Sequence, residues 1–495
     1  MTRAYCFWFA LAGGLLGPGC SSPDLGNTNF ACSSNADCYA GEICSTLNGA
    51  LACLPSTEVQ PLRIGMIAPM EGPSEDLGRE MSRGMEAMIR RFNAEGGSFG
   101  RPLELQKRND NYDPDTAVAM MRDLLDVQQV VEDPDRPDVR GEEGVFALVG
   151  NIGTPTMLAT APVATKNKVV FFAPFTGARD YLRDSTKSPY VYNYRAGYFD
   201  EAEAMVDYLY RGRIPAIIND PQLDYRRILV FAQDDSYGNA GYNGVIAAYN
   251  KNVAGLPQPD AIARVGYTRE NLESVPGAVA EASVFLDGVL TQAAAGASAK
   301  EGVAIIMIDT YAPGDRFIRG VKNWINQEAS RAERLDVLFM NVSFVGSNSL
   351  AEALTATPKE YIDVFSGQPR SYAENVMVTQ VVPSYDSQAP GVVEYRDDIR
   401  ALDSGDLTFT SLEGYVVTRL FTEALKRNGP LLSSDAFVHT LDTAITDLDI
   451  GIGTTLNFSA TNHQASDTVW GTQIGSDGTF SVPFVWQRGV GISVE

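Results

Sequence analysis

Four cysteines have the most distinctive spacing of any reactive residues in the chain. Cys32, Cys38, Cys44 and Cys53 fall within one short segment near the N-terminus. In an exported chain this clustering predicts two disulfides that close a small module, in any of three connectivities. A zinc knuckle is the alternative, but the segment lacks the two-residue spacing between cysteines that zinc loops favour.

Catalytic residue patterns are missing from the sequence. His439 and His463 are the only two histidines, and both lie late in the chain. No Ser-His-Asp order with a nucleophile elbow occurs, and no histidine–cysteine set has zinc spacing. Gly451 and Gly453 form a lone Gly-x-Gly in a turn-rich stretch, which is not a phosphate loop. The sequence therefore predicts a protein that is not an enzyme and that uses no cofactor and no metal.

The N-terminus has the pattern of an export signal. One early charge, Arg3, precedes an apolar run over residues 4–16. This run is too short to span a membrane and predicts a cleaved secretory signal over residues 1–19.

A possible lipid attachment site follows this signal. The sequence GPGC resembles a bacterial lipobox and predicts that Cys20 is lipidated after cleavage, although Gly17 stands where that motif prefers leucine. A plain cleaved signal with an incidental cysteine is the alternative. Residues 20–29 then form a polar, lipid-anchored tether. Because the neutral Ser21 resembles outer-membrane sorting, we expect a periplasmic or cell-surface lipoprotein, with the outer membrane favoured.

Length and charge restrict the architecture and the partners. A chain of 495 residues is too long for one ordinary core, so two lobes and an appendage are expected. The net charge of −23 argues against nucleic acid and anionic membrane surfaces as partners.

One stretch after the cysteines reads as strand, loop, helix and strand. The apolar run 62–68 predicts a buried strand, and residues 69–78 are rich in Gly, Pro and acid, as loops are. Apolar residues at helical spacing follow over 81–92, and a further strand covers 103–105. This βαβ order predicts parallel strands with a right-handed crossover, and a ligand site beyond the carboxyl ends of the strands.

The same alternation continues along the chain and predicts an α/β fold. Continuous apolar runs are typical of parallel strands covered on both faces. The predicted strands of this kind are 145–150, 169–173, 228–232, 303–308 and 335–340, with connecting strands at 190–195 and 375–382.

Several of these segments resemble one known family. The stretches IGMIAPMEGPSEDLG, RGMEAMIRRFNAEGG, FALVGNIGTPT, FFAPFTGARDYL, ILVFAQDDSYG and FMNVSFVGSNSLAEAL are similar to the periplasmic leucine/isoleucine/valine-binding proteins. These are type I solute-binding receptors of ABC importers. The resemblance implies two doubly wound parallel-sheet lobes, joined by three crossovers, which close on a small ligand. The expected divisions are a Cys-rich module and linker (30–60), which follows from the cysteines, and the two lobes that the resemblance implies, lobe 1 (61–195 and 380–445) and lobe 2 (196–379 and 446–495).

The resemblance also implies which residues contact the ligand. In the family, one cleft loop offers a hydroxyl and the N–H groups of a helix N-terminus, which favours an anion. A second loop offers a threonine, and aromatic residues of the second lobe cover the ligand. The residues at matching places are Thr154, Thr156, Phe175, Thr176, Tyr198 and Tyr311. The alternatives are that Thr154 only caps a helix, and that Phe175 and the tyrosines are core or surface residues.

Position 343 departs from the family pattern. Ser343 stands where the family has a glutamate that binds the α-ammonium of the ligand, and a serine cannot offset a buried cation. Asp309 and Asp200 are possible substitutes, or else solvated loop acids. We therefore expect leucine, isoleucine and valine to bind poorly. The family disulfide is also absent, because Tyr112 and Gly153 replace its two cysteines.

Together these observations predict the substrate-binding lipoprotein of an ABC importer. Its expected partners are a small amino-acid-like or organic solute, the ABC permease subunits, and a membrane through the lipid anchor. The alternative is a ligand-sensing surface receptor of a signalling system with the same fold.

Overall fold

A computed structural model describes residues 31–33, 37–38, 42–47, 50–55, 59–210, 225, 227–252, 262–292, 300–403 and 405–494. The predicted signal, Cys20 and the tether lie outside the described residues. The strands, in chain order, are β1 (Glu42–Leu47), β2 (Ala50–Pro55), β3 (Leu62–Ala68), β4 (Leu103–Asn109), β5 (Val127–Gln129), β6 (Val139–Arg140), β7 (Ala147–Val149), β8 (Val170–Phe172), β9 (Val191–Tyr192), β10 (Arg227–Gln233), β11 (Ala263–Tyr267), β12 (Glu301–Ile308), β13 (Leu335–Asn341), β14 (Glu360–Ile362), β15 (Pro369–Ser371), β16 (Val376–Gln380), β17 (Leu448–Asp449), β18 (Thr455–Leu456), β19 (Thr468–Ile474), β20 (Phe480–Gln487) and β21 (Gly491–Val494). The α-helices are α1 (Glu75–Ala94), α2 (Pro114–Leu124), α3 (Thr154–Lys166), α4 (Tyr198–Tyr210), α5 (Ser236–Asn252), α6 (Val275–Gln292), α7 (Tyr311–Ile325), α8 (Ala329–Arg334), α9 (Ser347–Thr355), α10 (Pro390–Leu402), α11 (Phe409–Asn428) and α12 (Ser434–Ala444).

The first lobe is built on a five-stranded parallel sheet in the order β4-β3-β7-β8-β9. Strand β3 is buried along almost its whole length because helices cover the sheet, as its apolar sequence predicts. Helix α1 buries Met81, Met85 and Phe92 on one face. It meets α11 at Gly84, where an added Cβ would lie 1.8 Å from the carbonyl oxygen of Ser411. Glycine is therefore required for this close helix contact.

The second lobe is built on an eight-stranded sheet in the order β11-β10-β12-β13-β16-β19-β20-β21. Its first five strands are parallel, which confirms the two predicted α/β lobes. The last three strands are antiparallel, so this sheet is mixed. A tight turn at Gly475–Gly478 joins β19 to β20 as a hairpin and reverses the chain.

Three chain segments connect the lobes and lie side by side. The Tyr194 hydroxyl donates to the Val381 carbonyl at 3.0 Å, which joins the first and second segments. The Asn193 N–H donates to the His463 carbonyl at 2.7 Å, which joins the first and third. Three crossovers were expected from the resemblance, and three are present.

The third crossover lies later in the chain than the predicted division at 445/446. Strands β17 and β18 form a small hairpin before it. Phe458, which follows that hairpin, packs its ring edge-on against Phe172 and Tyr192 of the first lobe. Residues 448–458 therefore belong with the first lobe, and the chain returns to the second lobe near Gln464. The predicted boundary is corrected accordingly.

The cysteine-rich module is a β1–β2 hairpin with two disulfides. The structure selects Cys32–Cys44 and Cys38–Cys53 from the three possible connectivities. Three of these sulfurs lie close enough together for a metal, but disulfide bonding makes them unavailable as zinc ligands. The module contacts the first lobe through Ile43, whose side chain occupies the space beside Gly100. Among the described helices, none is both long and apolar enough to cross a bilayer.

Candidate functional site

Buried polar atoms mark the seam between the lobes. The carboxyl ends of the strands in both sheets point to this seam, as expected for the ligand site of an open α/β sheet. Within the described ranges, several fully buried side-chain atoms there have no hydrogen-bond partner in the protein, and most buried polar groups in proteins do have one. They are Asp110 Oδ2, Asn151 Nδ2, Arg195 Nη1, Glu201 Oε1, both carboxyl oxygens of Asp309 and both amide atoms of Asn341.

Three hydroxyl groups meet across the seam. Thr154 Oγ1 lies 2.7 Å from Thr176 Oγ1 and 3.4 Å from the Tyr198 hydroxyl. Thr154 is the first residue of α3, the N-cap position is Gly153, and the Thr154 hydroxyl bonds to Thr176. Tyr198 begins α4 in the second lobe, and its N–H donates to the Gly177 carbonyl of the first lobe at 2.8 Å. The structure thus brings three predicted site residues together.

The remaining first-lobe candidates have backbone and packing contacts. The Thr156 hydroxyl donates to the Ile152 carbonyl at 2.7 Å, which uses its hydrogen within the helix start. Phe175 is fully buried, and the Arg195 guanidinium lies over its ring at 4.1 Å from the centroid. The Phe344 ring of the second lobe lies 5.4 Å from the same ring. Phe175 therefore forms part of the wall between the lobes.

A buried charge cluster lies beside this wall and consists of Arg195, Glu201, Ser343 and Glu413. Arg195 Nη2 donates to Ser343 Oγ at 2.6 Å and to Glu413 Oε2 at 3.3 Å, and Arg195 Nε lies 3.2 Å from Glu413 Oε1. Glu201 Oε2 accepts from the Ser343 N–H at 2.7 Å. It also accepts from the Thr379 hydroxyl at 2.6 Å. The interlobe charge cluster therefore joins α11 of the first lobe to the β13 and β16 strand ends of the second.

Burial controls the protonation of this cluster. It raises the pKa of Glu413 to about 7, because the cost of desolvation exceeds the attraction of Arg195, and repulsion by Glu201 adds to the effect. Burial also raises the pKa of Glu201, against the opposing attraction of Arg195 and the hydrogen bonds from Thr379 and Ser343. One guanidinium thus faces two carboxyl groups that hold protons more tightly than usual.

Three members of this cluster were not predicted from the sequence as site residues. Arg195, Glu201 and Glu413 lie far apart in the chain, and no motif links them. One signal was available, because Glu413 is a single acid on a helix that is otherwise buried along this stretch. The structure also changes the meaning of Ser343, since a carboxylate from Glu201 reaches its backbone. The expected weak binding of leucine, isoleucine and valine no longer follows from position 343 alone.

The two proposed substitute acids have different surroundings. Asp200 is held by the Arg488 guanidinium, with Arg488 Nε at 2.9 Å from Oδ1, and by the Gly197 N–H at 2.8 Å from Oδ2. The Gln464 amide also donates to it at 3.2 Å. These contacts hold Asp200 at the start of α4 with protein partners on both carboxyl oxygens, and its role as a counter-charge stays a prediction.

Asp309 and Tyr311 lie at the start of α7. The carboxyl group of Asp309 is buried, and burial raises its pKa well above the ordinary value. Tyr311 is half-buried at the seam, where its hydroxyl accepts from the Asp76 N–H of α1 at 3.4 Å. Tyr311 therefore contacts the first lobe directly, at a place separate from the three hydroxyls of Thr154, Thr176 and Tyr198 and from the interlobe charge cluster.

Aromatic rings fill the space between the two strand ends. Tyr112 contacts Gly153 so closely that an added Cβ on the glycine would lie 2.4 Å from the tyrosine ring. The two positions that replace the family disulfide are thus neighbours. Phe344 lies 6.3 Å from Tyr112 and 4.6 Å from Tyr237, measured between ring centroids. These rings continue the wall formed by Phe175.

Two α/β lobes, three crossovers that lie side by side and a polar site between facing strand ends define a two-lobed solute-binding protein. A model of the periplasmic binding protein family matches residues 61–132 and 138–262. The crystal structure of a possible leucine/isoleucine/valine-binding protein from Rhodopirellula baltica SH 1 shares 30% identity and a TM-score of 0.65, and the match covers 86% of this chain and 96% of that one. The chain therefore belongs to the type I periplasmic binding proteins of the Leu/Ile/Val-binding type.

Curated relatives match at lower identity. Leu/Ile/Val-binding protein homolog 8 of Brucella abortus (strain 2308) is 22% identical over 419 residues, which cover 83% of this chain and 88% of that protein. Homolog 2 of the same strain is 23% identical over 133 residues, so the match spans about a third (32%) of that relative.

Proposed function

We propose that this chain is the extracytoplasmic substrate-binding lipoprotein of an ABC importer. It binds a small amino-acid-like or organic solute with a polar head between two lobes that close on it. The observation that carries this proposal is the concentration of unpaired, buried polar atoms at the facing strand ends. Such atoms favour a bound partner that supplies the missing hydrogen bonds.

The polar residues at the seam receive specific roles in this proposal. Thr154 and Thr176 offer hydroxyls beside the start of α3, where the helix dipole favours an acceptor or anionic group. Tyr198 covers the solute from the second lobe, and the Ser343 loop contacts its other side. Thr156 and Phe175 support this surface from below, whereas Asp309 and Tyr311 border it in the second lobe.

The remaining parts of the chain connect the receptor to its transporter. Lipidated Cys20 and the tether over residues 20–29 hold the protein at a membrane surface on the periplasmic side or at the cell surface. The permease subunits receive the solute from the closed lobes. The comparison with Leu/Ile/Val-binding proteins supports an ABC partner, since such receptors are typical of these importers.

The experiment combines identification of the solute with two cleft variants. Native mass spectrometry of the purified protein identifies a co-purified small molecule, and calorimetry measures its affinity. We expect Thr154→Val and Thr176→Val each to weaken binding by about tenfold, which is the effect of losing one buried hydrogen bond. Thr160→Val is the matched control, because its hydroxyl bonds only within α3. Equal affinity in all four proteins would place the solute site elsewhere, and no bound solute in any assay would contradict the function.

An uptake assay separates the importer from the ligand-sensing receptor with the same fold. Deleting the gene should abolish uptake of the identified solute if the protein serves an importer. Unchanged uptake, together with loss of a transcriptional response to the solute, would support the sensor.

A further inference from the structure

Two unpaired groups in the interlobe charge cluster lie on opposite sides of one residue. Arg195 contacts the side chain of Ser343, and Glu201 contacts its backbone N–H. Within the described part of the chain, Arg195 Nη1 is a donor without an acceptor, and Glu201 Oε1 is an acceptor without a donor. Both side chains are fully buried. An unpaired donor and an unpaired acceptor therefore belong to two side chains that contact the same residue, and the charge of Arg195 acts on Glu201.

The satisfied atoms fix which edge of each group is unpaired. Glu201 Oε2 accepts from both the Ser343 N–H and the Thr379 hydroxyl, so the carboxyl group cannot rotate without losing two hydrogen bonds. Arg195 Nη2 donates to Glu413, Nε lies 3.2 Å from the same carboxylate as an ion pair without a hydrogen bond, and the guanidinium plane lies over the Phe175 ring. Nη1 is then the remaining edge of the guanidinium.

We propose that the solute carries a primary carboxamide, whose carbonyl oxygen accepts from Arg195 Nη1 and whose NH₂ group donates to Glu201 Oε1. This inference rests on the proposed function and specifies its solute class. A carboxylate would place an oxygen against the Glu201 oxygen, and an ammonium would place N–H groups against Arg195. A neutral carboxamide satisfies both groups and adds no further charge to a buried cluster.

The neighbouring rings suggest the rest of the probe molecule. Phe175, Phe344 and Tyr237 form a continuous aromatic wall beside the cluster, and ring pairs of this kind attract flat apolar groups. Three compounds with the same ring and different heads therefore test the proposal directly. They are 2-phenylacetamide (neutral), phenylacetate (anionic) and 2-phenylethylamine (cationic).

The first measurement is calorimetry of the full-length protein with these three probes at neutral pH. We expect 2-phenylacetamide to bind at least about tenfold more tightly than either charged probe, since each charged probe leaves one buried group unpaired. A charged probe that binds as tightly as the amide would overturn the proposal.

The second measurement uses Glu201→Gln to reverse the preference. The donors of Ser343 and Thr379 hold the glutamine oxygen at the place of Oε2, so the glutamine NH₂ takes the place of Oε1. The site then presents two donors, and phenylacetate should bind about tenfold more tightly than 2-phenylacetamide. Glu203→Gln is the matched control, because it lies on the same helix and pairs with Lys251 at the surface. The Glu203→Gln protein should keep the wild-type order of probe affinities.

Measuring the affinities of the probes over a series of pH values tests the proposal without changing any residue. Protonation of Glu201 converts its unpaired oxygen into a donor, so phenylacetate should bind more tightly as the pH falls and 2-phenylacetamide less tightly. The charged groups that face this site are Arg195 and Glu413, with Arg183 near Glu413. The Glu201→Gln protein should lose most of this dependence.

The outcomes separate this inference from the proposed function. An unchanged probe order in Glu201→Gln, or no binding of any probe at millimolar concentration, would overturn the carboxamide assignment. A co-purified solute that lacks a carboxamide but depends on Thr154 and Thr176 would overturn it as well, while leaving the receptor function intact. Absence of any solute, with no loss of uptake on gene deletion and no loss of a response, would instead remove the proposed function.

Discussion

Glu201 accepts a hydrogen bond from the backbone N–H of Ser343 at 2.7 Å, although 142 positions separate them in the chain. The relationship matters because the family resemblance of the sequence implies an acid at position 343, where this chain has a serine. The carboxyl group that the sequence lacks at this position is supplied from the first turn of α4. The cleft therefore keeps an acid, but the acid approaches from a different element and is paired with Arg195 across Ser343.

Arg195→Met should destabilise the protein by about 3–5 kcal/mol, because Glu413 and Glu201 would remain buried without a cation. Arg195→Lys should destabilise the protein less, because lysine keeps the positive charge although it lacks the planar guanidinium group. Urea unfolding followed by circular dichroism measures the effect. Arg79→Met is the control, because its side chain is 61% exposed and its ion pairs lie at the surface; it should change stability by less than about 0.5 kcal/mol. Equal costs for Arg79→Met and Arg195→Met would contradict the buried cluster.

Stability should fall as the pH rises from about 4.5 to 7, owing to Glu413. Its folded-state pKa of about 7 exceeds its ordinary value of 4.5, so the folded protein binds more protons in this range. The contribution of Glu413 to the free energy of unfolding is fully present below its ordinary pKa and is lost as the pH rises through its folded-state pKa. The loss amounts to at most about 3 kcal/mol.

Thermal melts across this pH range test the assignment. Glu413→Gln cannot titrate and should reduce the slope of the profile, leaving the part due to Glu201 and Asp309. Glu423→Gln on the same helix should keep the wild-type slope, because its ion pair with Lys426 lies near the surface. A profile of unchanged slope in Glu413→Gln would assign the titration to another group.

Gly153→Ala should destabilise the protein by roughly 2 kcal/mol or more, for two reasons. Gly153 has φ 108° and ψ 135°, a conformation that side chains rarely adopt. An added Cβ would also lie 2.4 Å from the Tyr112 ring. Tyr112→Ala should recover only part of the cost, because the added Cβ would still lie 2.4 Å from Thr156 Oγ1 and the backbone conformation would be unchanged. Gly277→Ala in α6 has no atom within 4 Å of the added Cβ and should be neutral or slightly stabilising. Equal stability of Gly153→Ala and Gly277→Ala would contradict the prediction.

Cys20→Ser should abolish lipid attachment, because the GPGC sequence after the apolar run predicts Cys20 as the modified residue. Cells labelled with a clickable fatty acid report the modification on a denaturing gel. Cys6→Ser lies within the predicted signal and serves as the control, which should label like the wild type. Equal labelling of Cys20→Ser and wild type would contradict the anchor.

Local patterns predicted much of the fold because local sequence controls local structure. Apolar runs ending in loops located β3, β10 and β12, and the helical spacing of Met81, Met85 and Phe92 identified the buried face of α1. The loops after the strands were also identified, since turn residues and helix starts depend on neighbouring positions. In the candidate site, the family resemblance indicated Thr154, Thr176 and Tyr198, which the structure brings together.

Tertiary structure alone decided which charges meet. Asp200 and Asp309 both looked available as counter-charges, but Arg488 holds Asp200 from 288 positions away, and no short-range pattern predicts that pair. The disulfide pairing was equally undetermined, because all three connectivities fit the spacing.

By itself, the sequence determined the α/β lobes, the loops at the strand ends and the family resemblance. The tertiary structure decided that Arg195, Glu201 and Glu413 share one buried site. The physical reason is that the energy of a buried charge depends on every group within a few ångströms, and the packing of the two lobes chooses those groups.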